Sequence, residues 1–264
     1  MKPAYITCIK DEPDLIYYNL VYYYNIGIRN FYIMFNNSCE KTRAEVALFE
    51  NTHQVKLTTF EDKRIGYYQP ERFTMMSNAA YAKNCDWIIP VDADEIVRLV
   101  KHKKIQDYLK CFEPIDFGFI QCRWIDYHPG DFAGPIKNYF TDWKYRESIK
   151  RQTGKIILKW HPDMYFGDGH HLITKKRKKI AVSKIAYYAH FPNRSYEQIK
   201  KKINIIGKAF VDYFGIDCGR PQIEEYKKVQ KQGEQFFINK WNAIEERRKR
   251  ITLVHDPLNP KLFE

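Results

Sequence analysis

The sequence predicts an α/β chain on a doubly wound, mainly parallel sheet, with a helical extension at its C-terminal end. Three observations predict it. Short apolar runs alternate with helical periodicities over residues 1–95, each run closes on a polar loop, and residues 196–264 show helical periodicity alone. Residues 4–9 form the first run, ending in the turn Lys10-Asp11-Glu12-Pro13. From Asp14 a helical pattern begins, with Leu15, Tyr18, Tyr22 and Ile26 at steps of three and four. Asp14 at its start and Gly27 past its end are the boundary signals. Residues 31–35 read as a second buried strand closing on Asn36-Asn37-Ser38, followed by a helix over residues 41–50. A third strand, residues 55–60, precedes Glu61-Asp62-Lys63, residues 70–84 are helical, and residues 87–91 are a fourth apolar run. Strands separated by helices in this way lie parallel.

Composition narrows the classes. The chain has 264 residues, of which 44% are hydrophobic, enough for a substantial core and against global disorder. Its 6 cysteines (Cys8, Cys39, Cys85, Cys111, Cys122, Cys218) show no C-x-x-C pair, which argues against a disulfide scaffold and a zinc ribbon. Lys+Arg 44 against Asp+Glu 32 leaves a net charge of +12, concentrated at residues 175–179, 200–202 and 247–250. That excess points to an anionic partner: nucleic acid, an acidic membrane surface or a phosphate-bearing substrate. No apolar run approaches the ~20 residues needed to span a bilayer, and the N-terminus lacks a signal-peptide pattern. The expectation is a cytosol-like compartment, with attachment to the cytoplasmic face of a membrane at most peripheral.

In open α/β sheets, ligands bind in the crevice at the carboxyl ends of the strands. Those ends carry Asp11 and Glu12, Asn36 to Ser38, Glu61 and Asp62, and Asp92-Ala93-Asp94-Glu95. No glycine-rich dinucleotide fingerprint follows the first strand and no P-loop occurs, which disfavours a dinucleotide oxidoreductase and a P-loop NTPase. The acidic cluster is the sharpest signal. In extended backbone Asp92 and Asp94 point to one side, and two hard oxygen donors suit Mg²⁺ or Mn²⁺. Asp92 with Glu95 three residues on also fits a capping-box helix start. Pro90, unable to donate to a ladder, predicts a bend or an unpaired strand there.

Together, Ile9-Lys10-Asp11-Glu12 before a helix, residues 27–35, Asn37-Ser38, and Asp86-Trp87 leading into Asp92-Ala93-Asp94-Glu95 resemble the glycosyltransferases of the family 2-like and family 92-like groups. His190-Phe191-Pro192-Asn193-Arg194-Ser195 with Lys201 is similar to their C-terminal His–Arg–Ser element, so the likeness runs through most of residues 1–205. The resemblance implies a GT-A, Rossmann-like fold, a nucleotide-sugar donor, and Mn²⁺ or Mg²⁺ held by Asp92 and Asp94, with His190 approaching the same metal. It implies donor-side contacts for Gln69 and Arg72, and places Asp11, Glu12, Asn37, Asp62 and Asp92 at the nucleotide. Arg194 and Lys201 can serve the diphosphate charge. This sequence departs from the pattern in two places: Asp-Glu stands where Asn-Glu is usual, and Pro90 interrupts the D-x-D strand.

Further along, residues 117–124 read as a strand ending at Asp126, and residues 155–159 and 184–188 as two more. Residues 129–153 form a long polar loop whose Tyr139, Phe140, Trp143 and Tyr145 suit stacking on an acceptor sugar or, equally, pinning of a surface loop. An inverting transfer needs a carboxylate base. Of Asp126, Asp163 and Asp168 we favour Asp168, flanked by Gly167 and Gly169, with Asp126 second; a Gly-Asp-Gly turn chosen for its backbone angles is the plainer reading. His161 reads as a turn residue, and only one of His170 and His171 can face a site.

These readings divide the chain into a catalytic domain, residues 1–195, and a basic, aromatic-rich helical region, residues 196–264. Within the first, residues 1–95 bind the nucleotide-sugar and residues 96–195 the acceptor. The expected function is metal-dependent, inverting transfer of a hexose from a UDP-sugar to a glycan or glycolipid acceptor in surface polysaccharide (lipopolysaccharide) biosynthesis, with the basic helices able to meet an anionic membrane. The rivals are a nucleic-acid-binding protein using the basic second half, which lacks any RNP, KH or zinc-finger signature, and a sugar-phosphate nucleotidyltransferase, whose glycine-rich basic loop is replaced here by an acidic turn.

Overall fold

The computed structural model describes residues 1–113, 118–130, 136–148, 154–167, 173–174 and 179–264, without the side chains of residues 173–174 and 179–181. Asp168, His170, His171 and residues 175–178 of the basic run lie outside the described residues. In chain order the first half contains β1 (Pro3–Ile9), α1 (Ile16–Asn25), β2 (Asn30–Asn36), α2 (Glu40–His53), β3 (Thr58–Asp62), α3 (Gln69–Tyr81), β4 (Trp87–Pro90) and β5 (Glu95–Leu99). Next come α4 (Ile105–Lys110), β6 (Gly118–His128), α5 (Tyr139–Asp142), β7 (Tyr145–Glu147), β8 (Gly154–Lys159), β9 (Tyr165–Phe166) and β10 (Ile173–Thr174). The chain closes with β11 (Lys179–His190), α6 (Tyr196–Phe214), α7 (Pro221–Gln232), α8 (Glu234–Arg250) and β12 (Leu253–His255).

β1 and β2 are buried along almost their whole length, as strands covered on both faces must be. β1 pairs in parallel with β2 and with β4, and β2 in parallel with β3. Their order is therefore β4-β1-β2-β3, with every carboxyl end on one edge. Alternation sends Tyr5, Ile9, Trp87 and Ile89 into one apolar cluster and Ala4, Ile6 and Ile88 into another. This is the mixed α/β architecture, centred on a parallel sheet, that the sequence predicts, and it agrees with a GT-A-like, Rossmann-like arrangement. Several boundaries moved. β3 starts at Thr58, because α2 runs on to His53 and closes through left-handed Gln54; Val55 and Leu57 are buried in the return. Asp14 does not cap α1, since its carboxylate binds Arg194 instead.

The other half of the sheet is mixed. β8 joins the outer side of β4 antiparallel, β6 joins β8 antiparallel, and β11 runs parallel to β6 and antiparallel to β5. The registers pair His190 with Glu95 on one side and with Asp126 on the other, so three strands set these side chains in one row. Pro90 shapes this region. It remains paired with Ile6 of β1, while the β4–β8 ladder covers only Trp87 and Ile88 and ends before the proline, where no N–H is needed. The Tyr188 hydroxyl lies in the opened gap, donating toward the carbonyls of Pro90 (3.2 Å) and Ile156 (3.3 Å).

Of the two readings of the aromatic loop, Phe140 and Trp143 fit pinning and not acceptor stacking. Phe140 and Trp143 are buried, with Phe140 against Phe191 (4.8 Å between centroids) and Phe263 (5.5 Å) and Trp143 against Phe191 (6.1 Å). The Tyr145 ring covers Gly130 so closely that a Cβ there would fall 2.3 Å from it. These rings anchor the segment to the core. The C-terminal region is helical through α8, where several basic side chains pair with Glu225, Glu245 and Glu246. It then returns to the sheet. β12 pairs with β7, Leu258 and Phe263 enter the main core, and Asp256 binds Arg98 (2.8 Å) and Arg146 (2.6 Å) and accepts from the Tyr187 hydroxyl (2.7 Å). Among the described residues, no helix is long and apolar enough to cross a membrane.

Removing the Tyr188 hydroxyl strands two carbonyls in a dry interior. Tyr188→Phe is therefore expected to lower unfolding free energy by about 1–3 kcal/mol, measured by urea denaturation with the far-UV spectrum unchanged.

Candidate active site

A cleft of about 1180 Å³ opens at the carboxyl ends of the parallel strands, with α6 along one wall. Asp11, Glu12, Asn37, Gln69, Arg72, Asp92, Asp94, His190, Arg194 and Lys201, all singled out from the sequence, line it. Asp62 and Asp126 do not, and Asp168 lies outside the described residues.

The acidic segment is a tight turn. The Glu95 N–H donates to the Asp92 carbonyl (3.0 Å), and the Asp92 N–H donates to the Glu95 carboxylate (3.3 Å). Only one half of a capping box is made, because the Glu95 N–H meets the Asp92 carbonyl and not its carboxylate, and the segment opens strand β5 and no helix. The turn is fixed from behind: the Asn19 amide donates to the carbonyls of Ala93 (3.0 Å) and Glu95 (2.8 Å), and the Phe191 N–H to that of Asp94 (2.9 Å). Because the chain turns instead of staying extended, the two aspartates part. The Asp92 carboxylate accepts from Lys155 (3.0 Å) and Gln69 (3.3 Å). Asp94 is only 6% exposed and meets His190 Nε2 (3.5 Å), Arg194 Nη1 (3.7 Å) and Lys202 Nζ (3.7 Å). Burial alone would raise its carboxyl; Lys202, His190 and Arg194 hold it well below the usual range instead.

His190 stands between carboxylates, with Nδ1 2.7 Å from Asp126 Oδ1, Nε2 toward Asp94 and the Trp124 ring 4.5 Å from its own. Burial works to lower its pKa, but Asp94 and Asp126 prevail and raise it to about 9. Asp126, expected as a candidate base, is 2% exposed and lies behind His190. A carboxylate on the far nitrogen of an imidazole is the arrangement that orients histidine toward a metal. Ligand atoms of Asp94, Glu95 and His190 all lie within 4.8 Å of one another. Two carboxylates and one imidazole suit Mn²⁺. Lys155, 2% exposed, reaches Glu95 Oε1 at 3.0 Å as well as Asp92.

Other expectations are met unevenly. Asp11 and Asn37 line the cleft in left-handed backbone, φ 53° and 48°, and both tie loops together: Asp11 accepts from the Cys39 N–H (2.7 Å), and Asn37 donates to the Lys63 carbonyl (3.1 Å). Lys201 approaches Asp11 (3.5 Å). Asp62, expected at the nucleoside, is turned to Arg64 (2.7 Å) and Arg72 (2.9 Å) and braces the rim from outside. Arg194 is buried between Glu12, Asp14 (3.1 Å) and Asp94, so its charge is committed to carboxylates. Burial raises the Glu12 carboxyl to about 7 against the pull of Arg194. Asp163 pairs with His161 in a turn. The rim of the cleft is an aromatic seam between residues 63–68 and α6, with Tyr67 on Phe210 (4.6 Å) and Tyr68 on Tyr213 (5.1 Å).

Sequence reasoning missed Glu95, Lys155 and Lys202. Lys155 had a signal, a lysine placed directly before the apolar run 156–158. Lys202 had another, since it shares a helical face with Gln198 and Ile205.

No family model matches this chain, and no curated protein matches it. Among solved structures it is similar to HddC from Yersinia pseudotuberculosis, at 14% identity over 76% of this chain and 99% of that one, with a TM-score of 0.45. It is also similar to residues 1–349 of S. aureus TarS (10%, 86% and 69%, TM-score 0.45). A third is the mannosyltransferase PcManGT from Pyrobaculum calidifontis in complex with GDP-Man and Mn²⁺ (13%, 92% and 73%, TM-score 0.43). Likenesses of this size describe general architecture, and the functional reading rests on the cleft.

Asp62 gives a pH signature. Burial opposes its ionisation, yet hydrogen bonds from Arg64 and Arg72 hold its carboxyl below the ordinary range. Its stabilisation is therefore present above the unfolded-state carboxylate pKa and lost as pH falls through the lower folded value. Asp62→Asn is expected to cost about 2 kcal/mol at pH 7, with the gap to the parent protein narrowing as the pH is lowered, read by urea denaturation at a series of pH values.

Proposed function

We propose that the chain is a metal-dependent glycosyltransferase that moves a hexose, with inversion, from a UDP-sugar to a glycan or glycolipid acceptor. The observation that carries this reading is the Asp94–Glu95–His190 group at the carboxyl end of a parallel sheet, where Asp94 and His190 line a cleft large enough for a nucleotide-sugar and Glu95 is buried beside them. Among the described residues around it, Glu12, Asp14, Asp92, Asp94, Glu95 and Asp126 are met by Arg194, Lys155, Lys202 and His190. Carboxylates outnumber basic groups there, which favours a divalent cation over a bare anion. Asp94, Glu95 and His190 would hold that cation, with Asp92 facing the nucleotide beside them. Bound there, Mn²⁺ or Mg²⁺ would supply Lewis acidity that neutralises a departing diphosphate.

The chain's own residues do the rest. Lys201 and Lys202 reach in from α6 on flexible stems and can exchange a carboxylate partner for a phosphate oxygen. Arg194, locked among carboxylates, keeps Glu12 and Asp14 in place. Asp11 and Asn37 border the nucleoside, and Gln69 and Arg72 line the donor side. Asp126 orients His190, which leaves Asp168 as the proposed base for the acceptor hydroxyl. An acceptor in surface polysaccharide biosynthesis, and docking of the basic helices on the cytoplasmic face of an anionic membrane, complete the proposal.

Asp94→Ala and His190→Ala are each expected to reduce Mn²⁺-stimulated UDP-sugar hydrolysis by about 100-fold and Mn²⁺ affinity by at least about tenfold. Unchanged hydrolysis in Asp94→Ala, with the fold intact by circular dichroism, would overturn the proposal.

A further inference from the structure

Gln198 lies in the first turns of α6 and borders the cleft. Its backbone is fixed, with the N–H donating to the Ser195 hydroxyl at the helix cap (3.1 Å). Its side chain is not: the amide nitrogen and the amide oxygen are both shielded from solvent, and neither has a hydrogen-bond partner. Buried polar groups in native proteins are nearly always paired, and leaving both ends of an amide unpaired opposes folding. The sequence around it indicates which way it faces. Lys202, one turn on, and Arg194, four residues back, both reach the Asp94 carboxylate at 3.7 Å. Gln198 shares the face of α6 that carries Lys202, and with Lys202 and Arg194 it lines the cleft.

We propose that Gln198 reads hydroxyl groups of the sugar half of the donor. This rests on the donor reading above. A diphosphate at neutral pH only accepts hydrogen bonds and would satisfy the amide nitrogen alone. Sugar hydroxyls both donate and accept, and so match both unpaired atoms. The amide turns toward a ligand without giving up a hydrogen bond, because it has none to lose. Such a residue separates a substrate from an analogue lacking the hydroxyls, since the analogue leaves it unpaired again.

The test is calorimetric titration of UDP, UDP-glucose and UDP-galactose, each with Mn²⁺, into the parent protein and into Gln198→Leu, which keeps bulk and removes both polar atoms. The affinity ratio of the preferred UDP-hexose to UDP is expected to fall about tenfold in the variant, with UDP affinity unchanged and the ligand-free melting temperature equal or higher. Gln198→Glu, which keeps an acceptor and loses the donor, is expected to fall between the two and covers the case in which leucine disturbs α6. An unchanged ratio in both variants overturns the assignment and leaves the donor reading standing. Failure of the parent protein to bind any UDP-hexose overturns the donor reading and this assignment with it.

Discussion

The crowding of carboxylates around Asp94 is the constraint on which the rest of this structure depends. Ionised groups taken out of water cost several kcal/mol each unless paired with good geometry, and here they are packed at the end of a buried sheet. Arg194, Lys155, Lys202 and His190 offset part of that cost, each by an ion pair with at least one carboxylate. The arrangement holds only if these groups stay in register, and register is what the mixed half of the sheet supplies. β11 sits between β5 and β6, so His190 stands between Glu95 and Asp126 as a consequence of backbone pairing.

Several features far from the cleft serve the same end. Pro90 stops the β4–β8 ladder where Lys155 must turn toward Asp92 and Glu95, and the Tyr188 hydroxyl occupies the opening. The C-terminal tail braces the same strand from the other side. Asp256 gathers Arg98 of β5, Arg146 of β7 and the Tyr187 hydroxyl of β11, tying together the strands that carry Glu95 and His190. Segments distant in sequence therefore bear on one row of side chains. α6 contributes directly, bringing Lys201 and Lys202 to carboxylates of the first half.

What could be read from the sequence follows the range of the interactions. β1, β2, α2 and β4 are set by local periodicity and by buried apolar runs, and their ends delivered Asp11, Asn37, Asp92 and Asp94 to the cleft as expected. The row Glu95–His190–Asp126 depends on pairing across strands far apart in sequence, which no local pattern encodes. Glu95 resembled a helix-cap residue because it stands three residues after Asp92, and its carboxylate does accept from the Asp92 N–H, but a strand and no helix follows. Phe140 and Trp143 stood in a polar stretch that left stacking and pinning equally open; the packing of Phe140 on Phe263 requires the C-terminal tail to fold back. Asp62 occupied the right strand end, but the Arg64 two residues on and the Arg72 on the following helix claim its carboxylate.

The central claim is that the deficit of positive charge at this turn is filled by a divalent cation. An anomalous difference map from crystals grown with MnCl₂ and UDP tests it most directly. The account predicts a manganese peak within bonding distance of Asp94 and His190, in contact with the diphosphate. UDP seated on Lys155 and Lys202, with no manganese near Asp94, would contradict it.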